Sequence, residues 1–158
     1  MLPLDDLLVL DFSTLLPGPL ASLFLSEAGA RVVKVERPGG EDMRGFPPRF
    51  GETAAPFAVL NRGKRSVEID LKAPDALEKL TPLITAADIL IEQFRPGVME
   101  RLGFGYEALK ALNPRLICFI ESLFGKASPH PEEAREGRLE GCSRCFRSLL
   151  EHPSRRPV

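Results

Sequence analysis

Three cysteines in 158 residues do not make a disulfide framework: Cys118 lies inside an apolar run, and Cys142 and Cys145 sit close together far down the chain. A reducing compartment, the cytoplasm, is expected. Long hydrophobic runs are missing too. None approaches the roughly 18 residues of a membrane span, and the opening MLPLDDLLVL lacks the positive start of a secretory signal. No membrane partner is expected. An excess of one charge is also absent, since 21 Lys+Arg face 22 Asp+Glu for a net charge of -1. Without a global basic field, nucleic acid is not an expected partner. Cations that matter must act locally.

With 44% hydrophobic and 27% charged residues, the chain has the makings of one ordinary domain with a real core. Strand and helix patterns alternate from the start. Leu7 to Phe12 reads as a first strand, and a Pro-Gly-Pro turn leads to a helix over Leu20 to Ala28 that stops at Gly29. Arg31 to Glu36 reads as a second strand, broken by Pro38-Gly39-Gly40. A Pro-rich excursion from Glu41 to Pro56 is expected over the ligand face, before a third extended segment at Ser66 to Leu71. Leu77, Leu80, Leu83 and Ile84 recur at helical spacing, then come a strand at Ile89 to Glu92, short helices at Pro96 to Leu102 and Tyr106 to Leu112, and a fifth strand at Leu116 to Ile120. This rhythm predicts an α/β fold: a Rossmann-like, open, mainly parallel sheet with helices on both faces and strand order undetermined. After Gly125 the rhythm stops. Residues 126–158 are expected to form a disordered tail, and residues 1–125 the folded domain.

Arg37 follows the second strand, Lys72 the third, and Gln93-Phe94-Arg95 the fourth. Carboxyl ends of parallel strands share the edge at which open α/β sheets bind ligands, and guanidinium and ammonium groups there imply an anion. A nucleotide with several phosphates suits that edge, with Phe94 packing on a ring or an extended chain. Arg62, Lys64 and Arg65 are either a solvated turn or a second contact for an outlying phosphate. Asp11 is a candidate carboxylate but lacks a partner histidine or second acid, and bonding within the Ser13-Thr14 turn is the preferred reading. Gly103-Phe104-Gly105 follows a helix rather than a strand, so it is not read as a dinucleotide fingerprint. Cys142-x-x-Cys145, with His130 and His152 irregularly spaced, lacks a second ligand pair, and no metal is expected.

The phrases LDFSTLLPGPLAS, GARVVKVERPGGEDMRG, LNRGKRSVEIDLK, ADILIEQFRPGVMERLG and NPRLI, in this order, resemble the N-terminal part of the class III CoA-transferases. This is the CaiB/BaiF group, which includes formyl-CoA transferase and α-methylacyl-CoA racemase, and the likeness covers residues 3–120. It implies a coenzyme A site in a Rossmann-like domain, acyl-CoA and a carboxylic acid as substrates, and a homodimer. Carried over by motif, the CoA-contacting positions are Leu16, Pro17, Arg37, Leu71, Lys72, Gln93, Phe94, Arg95 and Arg101. Where some relatives place a histidine, this chain has Thr14. In the transferases an aspartate beyond the fifth strand attacks the thioester, and in the racemases a histidine and an aspartate from that later region exchange the α-proton. No catalytic residue is assigned here, because no matching segment is found after residue 125. The expectation is a CoA-transferase portion, with three alternatives: a CoA-binding module acting in trans with an intact homologue, a racemase-like fragment, or an unrelated nucleotide-binding protein.

Overall fold

The structure, a computed structural model, describes residues 2–120. Strands β1 (Leu8–Asp11), β2 (Arg31–Glu36), β3 (Arg49–Phe50), β4 (Thr53–Ala54), β5 (Arg65–Glu68), β6 (Ile89–Glu92) and β7 (Ile117–Ile120) alternate with helices α1 (Pro17–Glu27), α2 (Ala55–Asn61), α3 (Ala76–Ala86), α4 (Val98–Arg101) and α5 (Tyr106–Leu112). Five strands form one sheet in the order β5-β2-β1-β6-β7, and every neighbouring pair is parallel. The chain builds outward from β1 through β2 to β5, then crosses back to place β6 on the other side of β1. The crevice between the carboxyl ends of β1 and β6 is therefore the topological switch point, where open α/β sheets take ligands.

Local chemistry explains the element limits. Pro17 occupies the first turn of α1, where its missing N–H costs no bond, so the helix starts three residues earlier than its apolar pattern suggests. At its other end Gly29 is left-handed (φ 109°), and Ala30 and Gly29 donate to the Leu25 and Ser26 carbonyls. That is the paired closure only a residue free of a Cβ penalty makes cheaply. Asn113 is buried and donates to the carbonyls of Ile84 (2.9 Å) and Ala87 (2.8 Å), satisfying the frayed end of α3. The third strand ends at Glu68, short of Leu71, because Asp70 accepts the Lys72 N–H and turns the chain. The excursion after β2 contains a 3-10 turn at Asp42–Gly45, the two-stranded β3-β4 ribbon and α2.

The two sheet faces differ in kind. Leu10, Phe12, Val35 and Leu90 join Leu80 and Ile84 of α3, Met99 of α4 and Leu109 of α5 in the apolar core, with Phe104 between those last two helices. Each such side chain taken fully from water contributes about 1.5–3 kcal/mol. Alternation puts Asp11, Lys34 and Glu36 on the opposite face, toward α1, and all three are buried.

Candidate functional site

Polar side chains gather where β1 and β2 end. Asp11 and Lys34 are register partners on neighbouring strands. The Asp11 carboxylate accepts the Ser13 N–H (2.9 Å), the Ser13 and Ser22 hydroxyls and the Lys64 ammonium (3.3 Å). Lys64, whose side chain is 1% exposed, donates as well to Pro19 O (2.8 Å), Ser22 Oγ (2.7 Å) and Asn61 Oδ1 (3.0 Å). Burial pushes its ammonium below the usual lysine range, and the Asp11 charge opposes that shift. Asp11 is thus fully engaged in holding the turn after β1, as its preferred sequence reading expects, and is unavailable as a nucleophile. Lys64 is not part of a solvated turn. It is a buried crosslink between α1 and the segment after α2, while its neighbour Arg62 pairs with Glu27 at the surface.

Lys34 makes a second crosslink. Its ammonium donates to Ser13 O (2.7 Å) and lies 3.0 Å from the Glu41 carboxylate, both partners being almost wholly enclosed. Burial, partly offset by Lys34, pushes the Glu41 carboxyl above its ordinary range. Glu36 has the opposite fate. Burial works against its charge, yet Arg44 (2.7 and 2.6 Å), the Ser66 hydroxyl and the Glu41 N–H (3.0 Å) hold it down to about 2. The loops after β1 and β2, and strand β5, are tied together by these buried charges.

Across the switch point, the Gln93 side-chain amide donates to Thr14 O (2.7 Å) and Thr14 Oγ1 (3.2 Å). Gly18 lies beneath this contact. A Cβ there would collide with the Ser13 side chain and come 2.9 Å from Gln93 Oε1, a buried oxygen with no bonding partner among the described residues. Leu16 and Pro17 open α1 on one side of the crevice, and Phe94 lies on the other, half-buried against the core. Its N–H is accepted by Glu92 (2.6 Å), whose carboxyl is pushed up chiefly by burial.

The remaining candidates spread along the same edge. Arg37 donates to Gly40 O (3.0 Å) and pairs with Asp42, both within its own loop. Leu71 packs against the core, Lys72 is exposed beyond β5, and Arg95 and Arg101 are exposed before and at the end of α4. Three inter-strand spacings separate the ends of β5 and β6, about 15 Å. Only an extended ligand reaches both. Sequence reading missed Ser22, Lys34, Glu36 and Glu41. The signal for the middle pair was present, since charges at alternate positions of an apolar strand must share one face.

The model of one family, "CoA-transferase family III", matches residues 4–154. The chain belongs to CoA-transferase family III. It is 44% identical over 128 residues to "Acetyl-CoA:oxalate CoA-transferase" of Acetobacter aceti, covering 80% of this chain and 33% of that protein. It is 38% identical to "Succinyl-CoA--D-citramalate CoA-transferase" of Chloroflexus aurantiacus, covering 99% of this chain and 39% of that protein. The solved structure of Rv3272 from M. tuberculosis superposes with a TM-score of 0.75 at 42% identity, over 82% of this chain and 37% of that one. The chain thus spans little more than a third of the length of these relatives. The family match runs to residue 154, which corrects the expectation that no matching segment follows residue 125. Cys142, Cys145, His130 and His152, and the tail expected at 126–158, lie outside the described residues. Among the described residues no helix is long and apolar enough to cross a membrane.

Proposed function

We propose that this chain binds coenzyme A along the carboxyl edge of its sheet, as the CoA-holding part of a cytoplasmic family III transferase that moves CoA between an acyl-CoA and a carboxylic acid. The observation that carries this reading is the Gln93–Thr14 bond, which braces the switch-point crevice with Leu16, Pro17 and Phe94 on its two sides. Exposed Arg37, Lys72, Arg95 and Arg101 supply charge for phosphates along that edge, and Phe94 and Leu71 supply apolar contact for an extended ligand. Residues 1–125 form the CoA-binding part. Asp11 is enclosed by Ser13, Ser22 and Lys64, and the resemblance implies that the aspartate attacking the thioester lies beyond the fifth strand, outside the described residues. A homodimer is the assembly that fits the resemblance.

Titration calorimetry of the folded chain with CoA, using NAD as the control, tests the assignment. Saturable binding of CoA without a response to NAD is expected. Equal binding of both would favour an unspecialised nucleotide site, and no binding of CoA would sink the reading.

A further inference from the structure

Arg37 is held in an unusual way for an anion-binding group. Its Nε donates to Gly40 O at 3.0 Å and its guanidinium pairs with the Asp42 carboxylate, five residues on in the same loop. The pair faces water, with side chains 64% and 66% exposed, so packing does not require it. The frame around it is fixed from beneath. Glu36 takes the Glu41 N–H (3.0 Å) and Arg44, Glu68 takes the Gly39 N–H (3.2 Å), and Gly40 N donates to Arg37 O (2.9 Å). These loop N–H groups are already engaged by protein, so an anion arriving here meets the Arg37 side chain and competes with Asp42 for it.

We propose that Asp42 is a specificity-determining residue of the Arg37 site: an internal carboxylate that excludes free carboxylates and yields to a phosphate ester. The inference rests on the reading that Arg37 binds CoA. Exchanging Asp42 for a carboxylate of the same charge and acceptor geometry gains nothing, and the internal partner keeps its entropic advantage. A phosphate monoester near neutral pH carries close to two charges and three acceptor oxygens, so it wins the guanidinium from a single carboxylate. A CoA-transferase meets its CoA ligand in the presence of free carboxylic acids, and without Asp42 those acids would compete for the same cation.

The test uses the full chain, calorimetry with CoA, and succinate as the carboxylate probe. Asp42→Asn is expected to bind CoA about two- to fivefold more tightly, the range an exposed ion pair spans. Succinate in large excess is expected to weaken CoA binding to Asp42→Asn at about two- to fivefold lower concentration than to the wild-type chain, and Asp42→Glu to behave as wild type. The Arg37 Nε–H resonance is expected to move when Asp42 is changed and again when CoA is added. If the wild-type chain binds CoA while Asp42→Asn binds it no more tightly and is no more sensitive to succinate, the inference is overturned and the CoA assignment stands. If neither protein binds CoA, both fall together.

Discussion

The Gln93 amide donates to the backbone carbonyl of Thr14 at 2.7 Å, joining the segment after β6 to the turn after β1 although 79 residues separate them in the chain. The bond spans the point where strand order reverses, and it sets the mouth of the crevice. Removing it by Gln93→Ala is expected to weaken CoA binding by about 0.5–1.5 kcal/mol, the net worth of one hydrogen bond. Stability should change by no more than that. Calorimetry and urea denaturation on the same preparation check both; unchanged affinity would remove Gln93 from the site.

Arg37→Ala is expected to weaken CoA binding by about 1–3 kcal/mol through loss of charge-assisted bonds to phosphate. Its partner Asp42 is exposed, and its bond to the Gly40 carbonyl is only part-buried, so the folded state should lose no more than about 0.5–1.5 kcal/mol. A loss of affinity that matched a loss of stability would show instead that Arg37 serves the loop.

Two basic residues separated only by Gly63 should respond very differently to the same change. Lys64→Met strips a buried ammonium from Asp11, leaving an enclosed carboxylate supported only by Ser13 and Ser22, and is expected to cost about 3 kcal/mol. Arg62→Met breaks a surface pair with Glu27 and is expected to cost under about 0.5 kcal/mol. Urea midpoints of the two variants decide it, and similar values would mean that Lys64 is solvated.

Glu36 titrates at about 2 in the folded chain against an ordinary 4.5. Between these values the unfolded chain binds more protons, so stability from this group is complete above 4.5 and drains away as pH falls toward 2. Glu36→Gln is expected to cost about 2 kcal/mol at neutral pH, with the gap to wild type closing through that acid window. Urea titrations across it would show parallel curves if the Arg44 and Ser66 bonds did not form.

Two glycines separate steric from conformational cost. Gly18→Ala drives a Cβ into the Ser13 side chain beneath Gln93 and is expected to cost about 2–3 kcal/mol. At Gly39 a Cβ meets nothing, but φ is 84°, and alanine there should cost about 1 kcal/mol. Thermal denaturation ranks the two, and the reverse order would contradict the packing at the crevice.

Much of the fold was legible because strand and helix periods are local properties. Arg31–Glu36, Ile89–Glu92 and Tyr106–Leu112 fall where their patterns place them, and alternation of βαβ units demands parallel strands. The placement of Arg37, Lys72 and Gln93 beyond strand ends was legible for the same reason, since every carboxyl end of a parallel sheet lies on one edge. Strand order was not, because pairing depends on contacts between distant segments that no local period encodes. Nor was the fate of charge: Lys64 and Arg62 look alike in sequence, yet one is enclosed by Asp11, Ser22 and Asn61 and the other meets water. The sequence by itself determined the main βαβ elements, their parallel direction and the placing of basic residues at strand ends. Only tertiary structure decided which of those cations stay exposed and which are buried crosslinks, because desolvation is set by what folds over a side chain rather than by its neighbours along the chain.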